Sequence, residues 1–171
     1  FPMCIFAGAA TAAKTTVCTV IARHPETRKL IHVLLYQNVV STQSGANAMM
    51  LHIQSKEPLT QRNFLDMRRC RNVVRDLVRA VQASRRTLSY GGGGMVTRSV
   101  QVFEHDVYTV VSATNAADIP GALAQVPPHR RPALLKPSLY AFFAKIGQPV
   151  VLPCFNNAEA AEAAPLAIWY E

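Results

Sequence analysis

The chain has 171 residues, half of them hydrophobic and 16% charged. That length bounds it to one domain or at most one and a half, and that composition excludes a disordered polar chain. The formal net charge of +8 favours an acidic partner or a nucleic-acid backbone over a basic surface.

A domain of this size buries roughly 70% of its unfolded surface, enough for a core without staples. No apolar run approaches the ~18 residues of a membrane-spanning helix; the longest candidate, Leu30–Leu35, is interrupted by His32. Phe1–Gly8 lacks the basic and long apolar parts of a secretory leader. Cys4, Cys18, Cys70 and Cys154 are scattered, with no C-x-x-C pair. That spacing describes neither a disulfide framework nor a zinc motif, so buried free thiols are expected. The expected setting is intracellular and reducing: cytoplasm, organelle matrix or virion. Phe1 is no initiator, and Leu166–Glu171 ends inside a strand-like run. A single domain over 1–171, as a piece of a longer chain, is therefore the expectation.

Residues 4–7, 15–23, 29–40 and 46–54 are rich in Val, Ile, Leu, Thr and Tyr and read as strands. His24-Pro25-Glu26 and Thr42-Gln43-Ser44-Gly45 supply turns, so this third reads as an antiparallel meander. The strand from Lys29 is apolar at both parities, which predicts cover on both faces. Over 60–83, Phe64, Met67, Cys70, Val74, Leu77, Val78 and Val81 recur at three- and four-residue spacing. The spacing predicts one long amphipathic helix of about six turns, capped by Thr60 or Asn63. Gly91–Gly94 mark a flexible loop over 87–95.

Strands follow at 95–103 and 106–113, joined by a turn at Glu104-His105-Asp106. Asn115 or Thr114 opens a short helix near 116–126, and Pro127, Pro128 and Pro132 make a stiff extended connection. Ser138 caps a second short helix, Leu139–Ile146, which Gly147 ends. Strands at 149–155 and 165–170 flank an alanine-rich stretch that suits one helical turn or a loop. Runs of like elements favour an α+β class over alternating βαβ. The expected architecture is a mainly antiparallel sheet, as two sheets or partly closed, with one long and two short helices.

Eight of the eighteen cationic residues lie in 62–86: Arg62, Arg68, Arg69, Arg71, Arg75, Arg79, Arg85 and Arg86. Only Asp66 and Asp76 oppose them there. At helical spacing Arg68, Arg71, Arg75 and Arg79 form one stripe. Arginine binds carboxylates and phosphates with a bidentate fork, so the stripe suits an acidic protein or a nucleic-acid backbone. The same spacing also describes the solvated side of any amphipathic helix. No aromatic residue interleaves the stripe, so it offers no base-stacking platform.

Met3-Cys4-Ile5-Phe6 has the outline of an N-terminal-nucleophile hydrolase start. In such an enzyme the exposed Cys attacks an amide and its own amine takes the proton. Arg23 and Asn47 are the companions this chemistry would use. While Phe1 and Pro2 remain, Cys4 has no free amine, and a buried strand cysteine fits equally. His24, His32, His52, His105 and His129 show no ligand spacing; His32 and His52 can face each other across neighbouring strands, but two ligands do not make a zinc site. The glycine run is followed by a strand and no lysine, unlike a P-loop. No cofactor and no metal is expected.

Three blocks, Met3-Cys4-Ile5-Phe6, Asn47-Ala48-Met49 and Pro165-Leu166-Ala167, occur in the order and at the rough distances of a group of uncharacterised bacterial proteins. The chain resembles that group over most of its length. The resemblance implies an outline and no activity. Three functions follow from the residues. The favoured one is a non-catalytic structural subunit of a large assembly: a capsid, a ribonucleoprotein or a membrane-associated complex. It would dock other subunits through Arg68, Arg71, Arg75, Arg79, Arg85 and Arg86. The alternatives are an amidohydrolase using Cys4 after processing and a non-specific nucleic-acid binder.

Overall fold

A computed structural model describes residues 4–7, 12–40, 45–83, 99–133, 135–160 and 163–171. Its strands are β1 (Cys4–Phe6), β2 (Ala12–Arg23), β3 (Leu30–Val40), β4 (Ala46–His52), β5 (Phe64–Leu65), β6 (Val100–His105), β7 (Tyr108–Ala113), β8 (Val150–Asn156) and β9 (Leu166–Tyr170). The α-helices are α1 (Val73–Ala83), α2 (Ile119–Ala122), α3 (Pro137–Ile146) and α4 (Asn157–Ala160). Among the described residues the strands pair antiparallel throughout. They form a five-stranded sheet in the order β1-β4-β8-β7-β6 and a four-stranded sheet in the order β2-β3-β9-β5. The α+β class holds, with two sheets.

The two sheets lie face to face. Met49, Leu51, Val110, Val151 and Phe155 of the first pack with Leu34, Tyr36, Leu166 and Ile168 of the second. The first sheet's other face meets Ile119, Leu123, Val126, Tyr140 and Phe143 through Ala48, Met50, Val111, Leu152 and Cys154. It is therefore apolar at both parities, and β7 is buried along its whole length. The second sheet's outer face carries a smaller cluster, where Val74 and Leu77 of α1 rest on Cys18, Val20 and Leu35. Leu34 and Leu35 thus point to opposite layers, and the two-sided cover expected for β3 is present.

Several turns follow the expected chemistry. The His24 ring nitrogen accepts the backbone N–H groups of Glu26 and Thr27 in the β2–β3 hairpin. Asn115 caps the helical segment at 116 by accepting the Ala117 N–H at 3.0 Å. Gly147 ends α3 in the left-handed region at φ 70°, where a Cβ would be strained. The alanine-rich stretch opens with one helical turn, α4.

Other expectations are corrected. The N-terminal third is not a meander: β3 and β4 belong to different sheets, and β1 pairs with β4 while β3 pairs with β9. Strands apolar on both faces gain more by sandwiching than by lying side by side. The long helix over 60–83 is absent; only its second half, α1, is α-helical. Residues 61–63 form a 3-10 turn, and Phe64 and Leu65 pair with Ile168 and Ala167. The reason lies in tertiary partners. Phe64 packs edge-on against Phe103 and His105, and the Asn63 amide donates to the Trp169 carbonyl at 3.0 Å. Thr60 accordingly caps that 3-10 turn, its N–H and hydroxyl both donating to the Asn63 side-chain oxygen, and neither residue caps α1. Pro127–Arg131 is a turn held by the Pro127 carbonyl, not an extended connection. Helix α3 begins at Pro137 with Lys136 before it, one residue ahead of the proposed Ser138 cap. The 87–95 loop lies outside the described residues.

Candidate docking surface

Over its first turns helix α1 divides into an apolar and a charged face. Val74 is buried, Leu77 and Val78 are half-buried, and Arg75, Arg79 and Val81 are exposed. The arginine side points away from the sheet that the valine and leucine side covers. Arg75 and Arg79 are one turn apart and are neighbours on the helix. Arg71 stands in the turn before the helix, so the stripe expected from Arg68 to Arg79 is broken. Arg68 is in an earlier turn and is spoken for. Its guanidinium donates to both Asp66 oxygens, at 2.9 and 2.6 Å, and these bonds hold the Asp66 carboxyl far below the usual carboxylate range. Arg85 and Arg86 lie outside the described residues. Among the described residues Arg69 and Arg79 make no ion pair, while Arg75 reaches Asp76 at a loose 3.8 Å.

A depression of about 530 Å³ opens beside the start of α1, lined by Arg69, Cys70, Arg71, Asn72, Asp76 and Leu77. Cys70 is exposed there, which corrects the expectation of buried thiols throughout. Cys154 does meet it: burial pushes its thiol up to about 12. Cys18 is half-buried under α1, and burial raises its thiol too.

The residues of the hydrolase alternative are not gathered. Cys4 lies opposite Leu51 on β4. Asn47 is four residues further along that strand, about 13 Å away at the strand rise. It is buried, with its amide donating to Asn157 Oδ1 at 3.2 Å and its carbonyl accepting the Ala48 N–H at 2.8 Å. Arg23 ends β2 in the other sheet and donates to the Arg28 carbonyl. Asn47 therefore serves the joint between β4 and α4.

The histidines are dispersed. His32 and His52 sit in different sheets; His32 leans on Tyr170, and His52 contacts Phe143 and hydrogen-bonds Gln148. His24 packs edge-on against Trp169. His105 is half-buried against Phe64, and burial holds its pKa below the usual value despite the nearby Asp106 carboxylate. Among the described residues no three His, Cys, Asp or Glu side chains are grouped to hold a metal.

One polar cluster escapes sequence reasoning. Arg130, only 16% exposed in its side chain, reaches Glu104 and Glu159, each at 2.8 Å. Thr109 adds its hydroxyl to Glu104 at 2.6 Å. The cluster ties β6, α4 and the Pro127–Arg131 turn together. Its members are far apart in the chain, so only a charged residue amid prolines hinted at it. Its charges are paired internally, which makes it a structural clamp. No described helix is long and apolar enough to cross a membrane. Comparison with protein-family models, with curated proteins and with solved structures gives no match.

Proposed function

We propose that this protein is a non-catalytic subunit of a larger assembly and docks an acidic surface of a neighbouring subunit through the arginines at and before α1. The observation that carries the reading is the exposed arginine side of α1. Its apolar side rests on the four-stranded sheet through Val74 and Leu77, while Arg69 and Arg79 face solvent without an ion pair among the described residues. A fold gains little from unpaired surface guanidinium groups, whereas a partner's carboxylates can take their forked donors bidentately. Arg71, Arg75 and Arg79 are the central contacts, with Arg68 shared with Asp66 and Arg85 and Arg86 extending the charge along the chain.

The test is charge reversal at Arg71, Arg75 and Arg79 together. The expected result is loss of incorporation into the native assembly, with an unchanged unfolding transition. Wild-type incorporation of the triple variant refutes the proposal. The same experiment separates the nucleic-acid reading. A phosphate-backbone binder loses affinity along a linear slope in log salt and binds unrelated duplexes alike, whereas a protein partner keeps its selectivity.

A further inference from the structure

We propose that the edge of β2 away from β3, over Thr16–Ala22, takes up an extended, acidic segment of the partner as an added strand. The inference rests on the docking reading above and names the form of the partner's contact. Strand β2 spans 12 residues and pairs with β3 on one side only among the described residues. The other edge strands are short: three residues in β1, two in β5 and six in β6. Edge strands left open present unused N–H and C=O groups, and proteins blunt them with charge, proline, bulges or brevity. Thr16–Ala22 has none of these. It holds no proline and no charged residue, and the one register irregularity falls between Ala12 and Lys14. Its Thr, Val and Ile content is that of a strand ready to pair, and Ile21 is 49% exposed. Strand addition is a recurring mode of segment recognition, with backbone hydrogen bonds for affinity and alternate side chains for selectivity.

Charge selects the occupant. Arg23 ends the edge with its guanidinium on a backbone carbonyl and no carboxylate; Arg28 follows in the hairpin. Helix α1, with Arg75 and Arg79, packs on β2 itself through Cys18 and Val20, so an added strand runs beside the arginine face. A second copy fits poorly. Antiparallel self-pairing centred between Cys18 and Thr19 sets Arg23 of one copy opposite Lys14 of the other, and joins two bodies of net charge +8. An acidic strand meets complementary charge instead.

The test is amide hydrogen exchange, read by NMR on the whole chain, with a Val-Glu repeat peptide as long as β2 and a Val-Lys repeat as control. The expected result is alternate amides within Thr16–Arg23 slowed by about tenfold or more with Val-Glu and not with Val-Lys. Three results overturn the proposal: no slowing with either peptide, slowing without peptide that grows with protein concentration, or full protection of these amides in the dilute free chain. The first two point to no strand addition and to a second copy; the third means the edge is already covered. Shifts confined to Arg69–Arg79, with β2 unchanged, reject the edge and leave the arginine reading standing. Slowing in β2 alongside wild-type incorporation of the arginine triple variant rejects the arginine reading and leaves the edge.

Discussion

The two sheets of this molecule are covered very differently. The five-stranded sheet has apolar layers on both faces: the other sheet on one side and the 116–126 and α3 helices on the other. The four-stranded sheet has its inner face in the main core, but its outer face carries only α1 and a small cluster around Leu35, Val74 and Ala167. Burial on two sides makes β4, β7 and β8 the rigid frame, with Ala48, Leu51, Val110, Val111, Val150 and Val151 at 0–1% exposure. The thinner cover elsewhere leaves a basic helix face exposed and, among the described residues, no strand beyond β2. Surfaces a fold does not need for itself are where partners dock.

That contrast can be broken by experiment. The largest expected effect is on thiol labelling. Cys70 lies exposed, while Cys154 is buried in the frame with its thiol pushed up to about 12. With iodoacetamide at neutral pH, Cys154 should react orders of magnitude more slowly than Cys70 and only through global opening; comparable rates would show that the frame opens locally. Next, Phe155→Ala in β8 should cost about 3–5 kcal/mol in denaturant unfolding, because its ring is 1% exposed between the sheets. Leu77→Ala under α1 should cost about 1–2 kcal/mol, since the side chain is only half-buried. Equal losses at the two sites would erase the distinction between frame and cover.

A smaller effect concerns pH. Burial lowers the His105 pKa in the folded state, so the unfolded chain binds that proton more readily. Stability from this group is complete above the unfolded value of about 6.5 and falls as pH drops towards the folded value. His105→Phe should flatten that part of the stability profile; an unchanged slope would assign the drift elsewhere. The smallest effect is at Arg75→Glu with Arg79→Glu, expected to change stability by no more than about 0.5 kcal/mol. A larger loss would mean these arginines serve the fold and not a partner.

Much of the chain's local order is legible without its structure. Alternating and continuous runs of Val, Ile, Leu and Thr place most of the strands, because strand periodicity is local. His24-Pro25-Glu26, Asn115 and Gly147 announce their turns and caps because the hydrogen bonds they make span only a few residues. The basic character of 62–86 is a matter of counting. Reading failed where a distant partner decides. Phe64 obeys a helical period yet sits in a strand, because Ile168 pairs with it and Phe103 packs on it. The break in the arginine stripe follows from that choice, as does the capture of Arg68 by Asp66. The clamp at Arg130 and the buried Asn47–Asn157 pair join residues 26 to 110 positions apart. The amino-acid sequence by itself determined the α+β class, the strand-forming runs, the turn chemistry and the positive charge, all set by neighbours within a few residues. Tertiary structure alone decided which strands share a sheet, where α1 begins, and that β2 stands at the end of its sheet among the described residues. Those outcomes depend on which apolar faces cover one another, and contacts between distant residues leave no periodic mark on the chain.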